Sequence, residues 1–282
     1  MTITLCAVDT AHHLLTRRAL DISSQMHNFD KIMFITDKDC NLPAPWEWCK
    51  INTFKNGENY NQFVLKKLVK YIKTDHVLLI QYDGFAINPE LWSPEFLNYD
   101  YIGAPWRWHE NYQIGNGGFS LRSKKLLNAC LDRDINLSGY NINNKLEDVT
   151  ICRFYRSLLE IRHGIHYAPL SVAEKFSVEY AEKTTPTFGF HGFHHLHNFY
   201  RGDNFPYLLN NLQPYVFKKF LPLQLALEYN GNNCKTEASL LIHKFFEYNP
   251  IDTEKYAEIA LRDIDTQTNF NDVWNLLMTI KK

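Results

Sequence analysis

The chain has 282 residues, a formal net charge of −1, 45% apolar and 22% charged residues. This balance allows a substantial core and supplies no basic field for tracking a phosphate backbone, so nucleic acid is excluded as a first partner. No apolar run is long enough to cross a bilayer. Met1-Thr2-Ile3-Thr4-Leu5-Cys6-Ala7-Val8-Asp9 also lacks the basic and long apolar stretches of a signal peptide, so a cytoplasmic protein with at most peripheral membrane contact is expected.

Residues 2–8 alternate and are β-prone, then end at Asp9-Thr10. Residues 11–26 have helical periodicity, with Leu14, Leu15, Ala19 and Ile22 on one side. A second strand follows at 31–36, then a polar loop with Pro43 and Pro45, and a short third strand near 48–51. Residues 60–72 read as a helix. His76-Val77-Leu78-Leu79-Ile80-Gln81 is the nearly continuous apolar run of a strand buried on both faces. This alternation predicts a parallel sheet with crossover helices, and ligands on such a sheet lie beyond the carboxyl ends of its strands. Short elements and Gly/Pro loops continue to about residue 200. Beyond that, apolar clusters at 215–227, 238–246 and 257–264 predict a helical region. A catalytic domain over 1–200 and a helical region over 201–282 packed on it are expected. The six cysteines include no C-x-x-C pair and read as reduced packing residues.

Four short segments carry residues suited to chemistry. In Gln81-Tyr82-Asp83, the acid stands just past the buried strand, where it can bind a hard divalent cation or simply close an Asx turn. Gly115-Asn116-Gly117-Gly118-Phe119-Ser120-Leu121-Arg122 lets backbone approach a ligand closely, or makes a tight turn. Glu147-Asp148 opens a helix expected to continue through Ile151, Phe154, Leu158 and Ile161. Its acids either favour the helix N-terminus or provide a general base, Asp148. The fourth segment, Phe188-Gly189-Phe190-His191-Gly192, is followed by His194, His195 and His197. That spacing does not fit a zinc motif, and the Gly-flanked His191 is the one expected to ligate a metal.

The order of these segments resembles the layout of GT-A glycosyltransferases: a metal-binding acid, a glycine loop, a catalytic acid motif and a late histidine. The wording is similar to the DUF5672 family of that type. It is carried by Tyr60-Asn61, the 77–83 run, Phe96-Leu97-Asn98-Tyr99-Asp100-Tyr101-Ile102-Gly103-Ala104-Pro105-Trp106, residues 115–122, Glu147-Asp148-Val149, the 173–179 stretch and Phe188-Gly189-Phe190-His191. The resemblance implies an α/β GT-A (Rossmann-like) fold, with a mixed, mostly parallel sheet flanked by helices and a helical C-terminal appendage.

The resemblance also implies transfer of a sugar from a nucleotide-sugar donor, a UDP-hexose by family habit, to a carbohydrate or lipid-linked glycan acceptor. A lipid-linked acceptor would be met at the inner face of the membrane. In this reading Asp148, with Glu147 beside it, is the base of an inverting reaction, and Asp83 and His191 hold Mn²⁺ or Mg²⁺. Asp9, Thr10, Gln81, Asp83, Asn116, Gly117, Gly118 and Arg122 contact the donor; Tyr101 and Trp106 stack on acceptor sugar. Other roles remain open: Asp9 as a helix cap, Arg122 as a bridge to a helix acid, and Tyr101 and Trp106 as buried packing. Gln81 replaces the first acid of the usual Asp-x-Asp pair, which leaves room for metal-independent transfer or for a carbohydrate- or nucleotide-binding module without turnover. A metal-dependent hydrolase or nucleotidyltransferase could use the same side chains.

Overall fold

A computed structural model of the chain describes residues 1–106, 110–141, 144–180, 186–219 and 221–249. The chain divides into two compact units, Met1–His191 and Gly192–Lys282. The first unit begins with β1 (Ile3–Val8), α1 (His13–Ser23), β2 (Lys31–Thr36), β3 (Glu47–Lys50), α2 (Gly57–Lys66), β4 (His76–Ile80) and β5 (Gly84–Ala86). It continues through β6 (Tyr101–Ile102), β7 (Ser120–Ser123), α3 (Lys124–Ala129), β8 (Gly139–Asn141), β9 (Asn144–Lys145) and α4 (Glu147–Val149). α5 (Arg156–His163), α6 (Leu170–Phe176), β10 (Ser177–Val178) and β11 (Gly189–His191) complete it.

The main sheet has the order β3-β2-β1-β4-β7-β6. β1 pairs in parallel with β2 and β4, and β3 extends the parallel set beside β2. β7 alone runs against its neighbours. This is the expected mostly parallel α/β sheet. Strand order reverses beside β1, between the crossover to β2 and the crossover to β4. That switch point opens a crevice at the carboxyl ends of β1 and β4. β1 and β4 are buried throughout, Thr4 and His76 included, as strands covered on both faces are. Cys6, Val8, Leu79, Phe63, Leu68 and Ile72 share one core beneath α2.

A second sheet, β10-β11-β5, stands beyond the turn that ends β4. β5 and β11 are antiparallel, with His191 opposite Gly84. This register places the late histidine beside Asp83, more than a hundred positions earlier in the chain.

The second unit contains α7 (Phe205–Asn211), α8 (Leu221–Gly231) and α9 (Lys235–Tyr248). Leu225, Tyr229, Leu241 and Phe245 are buried in it. The cluster expected at 257–264 lies outside the described residues. Among those described, no helix is long and apolar enough to cross a membrane.

Several local expectations need correction. The helix expected from Glu147 through Ile161 is broken: a π turn occupies Thr150–Phe154, and Tyr155 leaves helical geometry before α5. Phe154 and Ile161 are consequently exposed rather than packed. α1 is shorter than its apolar pattern, and Leu14 is also exposed. α2 starts three residues earlier than Tyr60, at Gly57, because the Asn56 side chain accepts the Asn59 N–H as an N-cap. All six cysteines are free, and Cys6, Cys130 and Cys152 are buried.

Candidate active site

The site begins where β4 turns back on itself. Gln81 and Gly84 exchange backbone hydrogen bonds of 2.9 and 3.1 Å, leaving Tyr82 and Asp83 at the corner. The Asp83 side chain is largely buried, and its Oδ1 has no hydrogen-bond partner among the described residues. A buried carboxylate oxygen without a donor is costly, and burial raises the pKa of Asp83, opposed by the charges of His191 and His12.

His191 reaches the same point from β11. Its Nε2 lies 3.9 Å from Asp83 Oδ1. Its Nδ1 is held from behind, 3.0 Å from Glu179 Oε1 and 2.8 Å from Asn116 Nδ2. Burial alone would lower the His191 pKa. The hydrogen bond and charge of Glu179, then the charges of Asp83 and Asp148, outweigh burial and raise it to about 9. The pocket around this ring is therefore a negative field that stabilises a cation.

The glycine loop forms the floor between these groups. Asn116 adopts a left-handed backbone (φ 66°), and its Oδ1 accepts the N–H groups of Gly118 and Phe119 at 3.1 and 3.3 Å. A Cβ on Gly118 would lie 2.1 Å from His191 Nε2 and 2.9 Å from Gln81 Oε1. A Cβ on Gly117 would lie 2.0 Å from Glu147 Oε1. Both glycines are thus required by close approach of functional side chains. Gln81 donates through Nε2 to the Tyr60 hydroxyl at 2.7 Å, which leaves Oε1 turned toward the loop.

Asp148 closes the other side. Its Oδ2 accepts the Gly117 N–H at 2.9 Å and its Oδ1 accepts the Val149 N–H at 2.7 Å. Burial, then repulsion from Glu147, outweigh these two bonds and raise its pKa to about 6. A carboxylate titrating there is ionised at neutral pH and more basic than an exposed one, as a general base should be.

Glu147 points inward. It pairs bidentately with Arg122, both N–O distances being 2.9 Å, and both side chains are almost fully buried. Arg122 also donates to the Gly117 carbonyl at 3.3 Å, and the buried Tyr101 hydroxyl donates to the Asn116 carbonyl at 2.9 Å. Three expected roles are corrected by this burial. Arg122 has no face left for a donor phosphate, Tyr101 none for an acceptor sugar, and Glu147 is bound in an ion pair rather than presented as a base. All three hold the loop from below. Trp106 is also buried, with one face so close to Gly115 that a Cβ there would lie 2.3 Å from the ring.

At the end of β1, Asp9 takes the capping role. Its Oδ1 accepts the Ala11 and His12 N–H groups at 2.6 and 3.0 Å, and Oδ2 accepts the Thr16 hydroxyl at 2.5 Å. Thr10 Oγ1 accepts the Phe54 N–H at 3.0 Å. Sequence reasoning assigned no role to Tyr60 or Glu179. Both lay within the strings that carried the resemblance, but only the folded chain shows what they hold.

A divalent cation can be tested against this donor set. Asp83 Oδ1 is an orphaned anionic oxygen, His191 Nε2 faces it, and Gln81 Oε1 adjoins the same glycine. This set suits a hard cation that completes its shell with phosphate and water oxygens. It does not suit a closed zinc site: among the described residues no group of three His, Cys, Asp or Glu side chains gathers as a metal set. His197 Nδ1 is instead bonded to the His194 carbonyl at 2.7 Å.

The architecture and site define an α/β protein with a switch-point crevice. There a carboxylate oxygen without a hydrogen-bond donor among the described residues, an oriented imidazole and a second, basic carboxylate surround a glycine loop. Residues 46–191, more than half of the chain, match the family described as "Protein of unknown function (DUF5672)", and the chain belongs to that family. Solved structures give weaker likenesses. The apo-form glycosyltransferase GlyE of Streptococcus pneumoniae TIGR4 is 12% identical, with a TM-score of 0.44, over 68% of this chain and 54% of that one. A glycosyltransferase involved in glycosylation of the major capsid of PBCV-1 is 13% identical, with a TM-score of 0.39, over 68% of this chain and 94% of that one. The bifunctional IspDF of Campylobacter jejuni is 14% identical, with a TM-score of 0.35, over 50% of this chain and 45% of that one. The chain thus spans about half the length of the pneumococcal protein. No curated protein matches it.

Proposed function

We propose that the chain is a glycosyltransferase that moves a hexose from a UDP-linked donor to a hydroxyl of a carbohydrate or lipid-linked glycan, with inversion. The observation that carries this reading is the convergence of Asp83 Oδ1, His191 Nε2 and Asp148 on the Asn116–Gly118 loop at the end of β4. In a single displacement the acceptor oxygen bonds to the anomeric carbon as the bond to the diphosphate breaks. Asp148 takes the hydroxyl proton and the nucleoside diphosphate leaves with the bonding pair. Asn116, Gly117 and Gly118 shape the floor under the donor sugar. Asp83 and His191, with Gln81 Oε1 beside them, would hold a Mn²⁺ or Mg²⁺ ion, which when bound neutralises charge developing on the leaving group. Glu179 keeps the imidazole aimed forward, and Tyr60 fixes the Gln81 amide.

Gln81 in place of an acid favours one second reading: a binding module that holds the nucleotide sugar without turning it over. The test is incubation with UDP-hexoses and a panel of glycan acceptors, with product analysis. Formation of a new glycoside together with UDP supports the transferase. Release of UDP and free sugar regardless of acceptor identifies a hydrolase, and saturable donor binding without either product identifies the binding module.

A further inference from the structure

A second cleft is lined by a different set of residues. It has a volume of 480 Å³ and lies between the chain leaving β3 and the outer face of α2. That size falls within the range of small-molecule sites. Its lining shares no residue with the Asp83–His191–Asp148 site. Lys50 and Lys67 stand at its edge, Asn52 and Gln62 supply amides, and the rings of Phe63 and Tyr71 form a wall with centroids 5.6 Å apart. No carboxylate lines it, and neither lysine is ion-paired among the described residues.

The segment facing that wall is fixed by the fold itself. Thr53 Oγ1 donates to Asp37 Oδ2 at 2.6 Å, and the Phe54 N–H donates to Thr10 Oγ1 at 3.0 Å. These bonds tie the lining segment to the ends of β2 and β1, so little ordering remains to oppose binding. Two cations without partners, amides and an aromatic face together select a molecule with a negative charge, hydroxyl groups and a flat apolar face. A plain hydrophobic ligand would leave the lysines and amides unused, and a cation would meet like charge.

We propose that this cleft is a second saccharide site, specific for an acidic sugar: a uronate or a sugar phosphate. It stands whether or not the chain transfers sugar, because its test reads binding alone. Backbone amide shifts of the full chain would be followed during titration with glucuronate, glucose 1-phosphate, glucose, inorganic phosphate and UDP. The expected result is saturable shifts over residues 50–71 with one or both acidic sugars and none of comparable size with glucose or phosphate. UDP should instead move residues 81–83 and 116–118. The double variant Lys50→Ala/Lys67→Ala, altering exposed side chains only, should weaken the acidic sugar about tenfold. Tyr71→Ala should weaken it independently while leaving the UDP response unchanged. Glucuronate and glucose 1-phosphate separate the two sources of charge. The proposal is overturned if neither acidic sugar gives saturable shifts, if glucose or phosphate binds as well, or if the shifts centre on residues 81–83.

Discussion

Asp9 and Asp83 occupy equivalent places, each just past the end of a buried parallel strand on either side of the switch point. Asp9 is consumed by its own fold, with three hydrogen bonds closing the entry to α1. Asp83 Oδ1 is buried with no hydrogen-bond donor and faces an imidazole 3.9 Å away. The fold satisfies one acid locally and holds the other against the cost of burial. A side chain left unsatisfied in the interior is where structure gives way to function. Glu147 and Asp148 repeat the contrast one residue apart: the first is locked onto Arg122 and the second faces the glycine loop.

The sharpest way to break the second contrast is Asp148→Asn. It should reduce transfer by about 10²–10⁴-fold, the usual contribution of a general base, with UDP binding retained; unchanged turnover in a product assay would remove Asp148 from the chemistry. Its neighbour should fail differently. Glu147→Gln leaves the Arg122 guanidinium buried without its counter-charge, and denaturant unfolding should show a loss of about 3–5 kcal/mol. A stability change as small as that of a surface substitution would mean the pair does not anchor the loop.

The two strand-end acids should also part in stability. Asp9→Ala removes the turn ahead of α1 and should cost about 1 kcal/mol in chemical denaturation. Asp83→Asn should cost nothing or raise Tm, because a neutral amide removes a charge that burial penalises more than His191 and His12 favour it. Equal losses at both positions would erase the distinction.

The smallest effects concern pH. Asp148 must be ionised to act, so the rate should fall as pH drops through about 6, and a limb near 4 would place the base elsewhere. An acid whose pKa rises on folding binds its proton more tightly in the native state. Its burden on stability therefore appears as pH climbs from 3.8 through about 6. Asp148→Asn should accordingly be more stable than the parent at pH 7, with the gap closing below pH 4.

Strands β1, β2 and β4 were legible because each is a run of apolar or β-branched residues at the length of a buried strand, and Asp83 stood out from its place after β4. The acid motif was visible, but its division into an inward Glu147 and an outward Asp148 was not. That division depends on Arg122, twenty-five positions earlier in the chain. The break at Tyr155 was hidden because Ile151, Phe154, Leu158 and Ile161 keep helical spacing even though a π turn rotates part of that face into solvent. Glu179 and Tyr60 act through partners set by β10–β11 pairing and by the packing of α2 near the end of β4, contacts that local sequence does not encode.

Asp83 and His191 are proposed to form one cation-assisted seat for a sugar nucleotide. Its most direct test is Mn²⁺ binding followed by electron paramagnetic resonance, with and without UDP, in the parent chain, Asp83→Asn and His191→Ala. UDP-enhanced Mn²⁺ binding is expected for the parent, with its loss in both variants while each remains folded. Mn²⁺ binding of equal strength in all three proteins would contradict it.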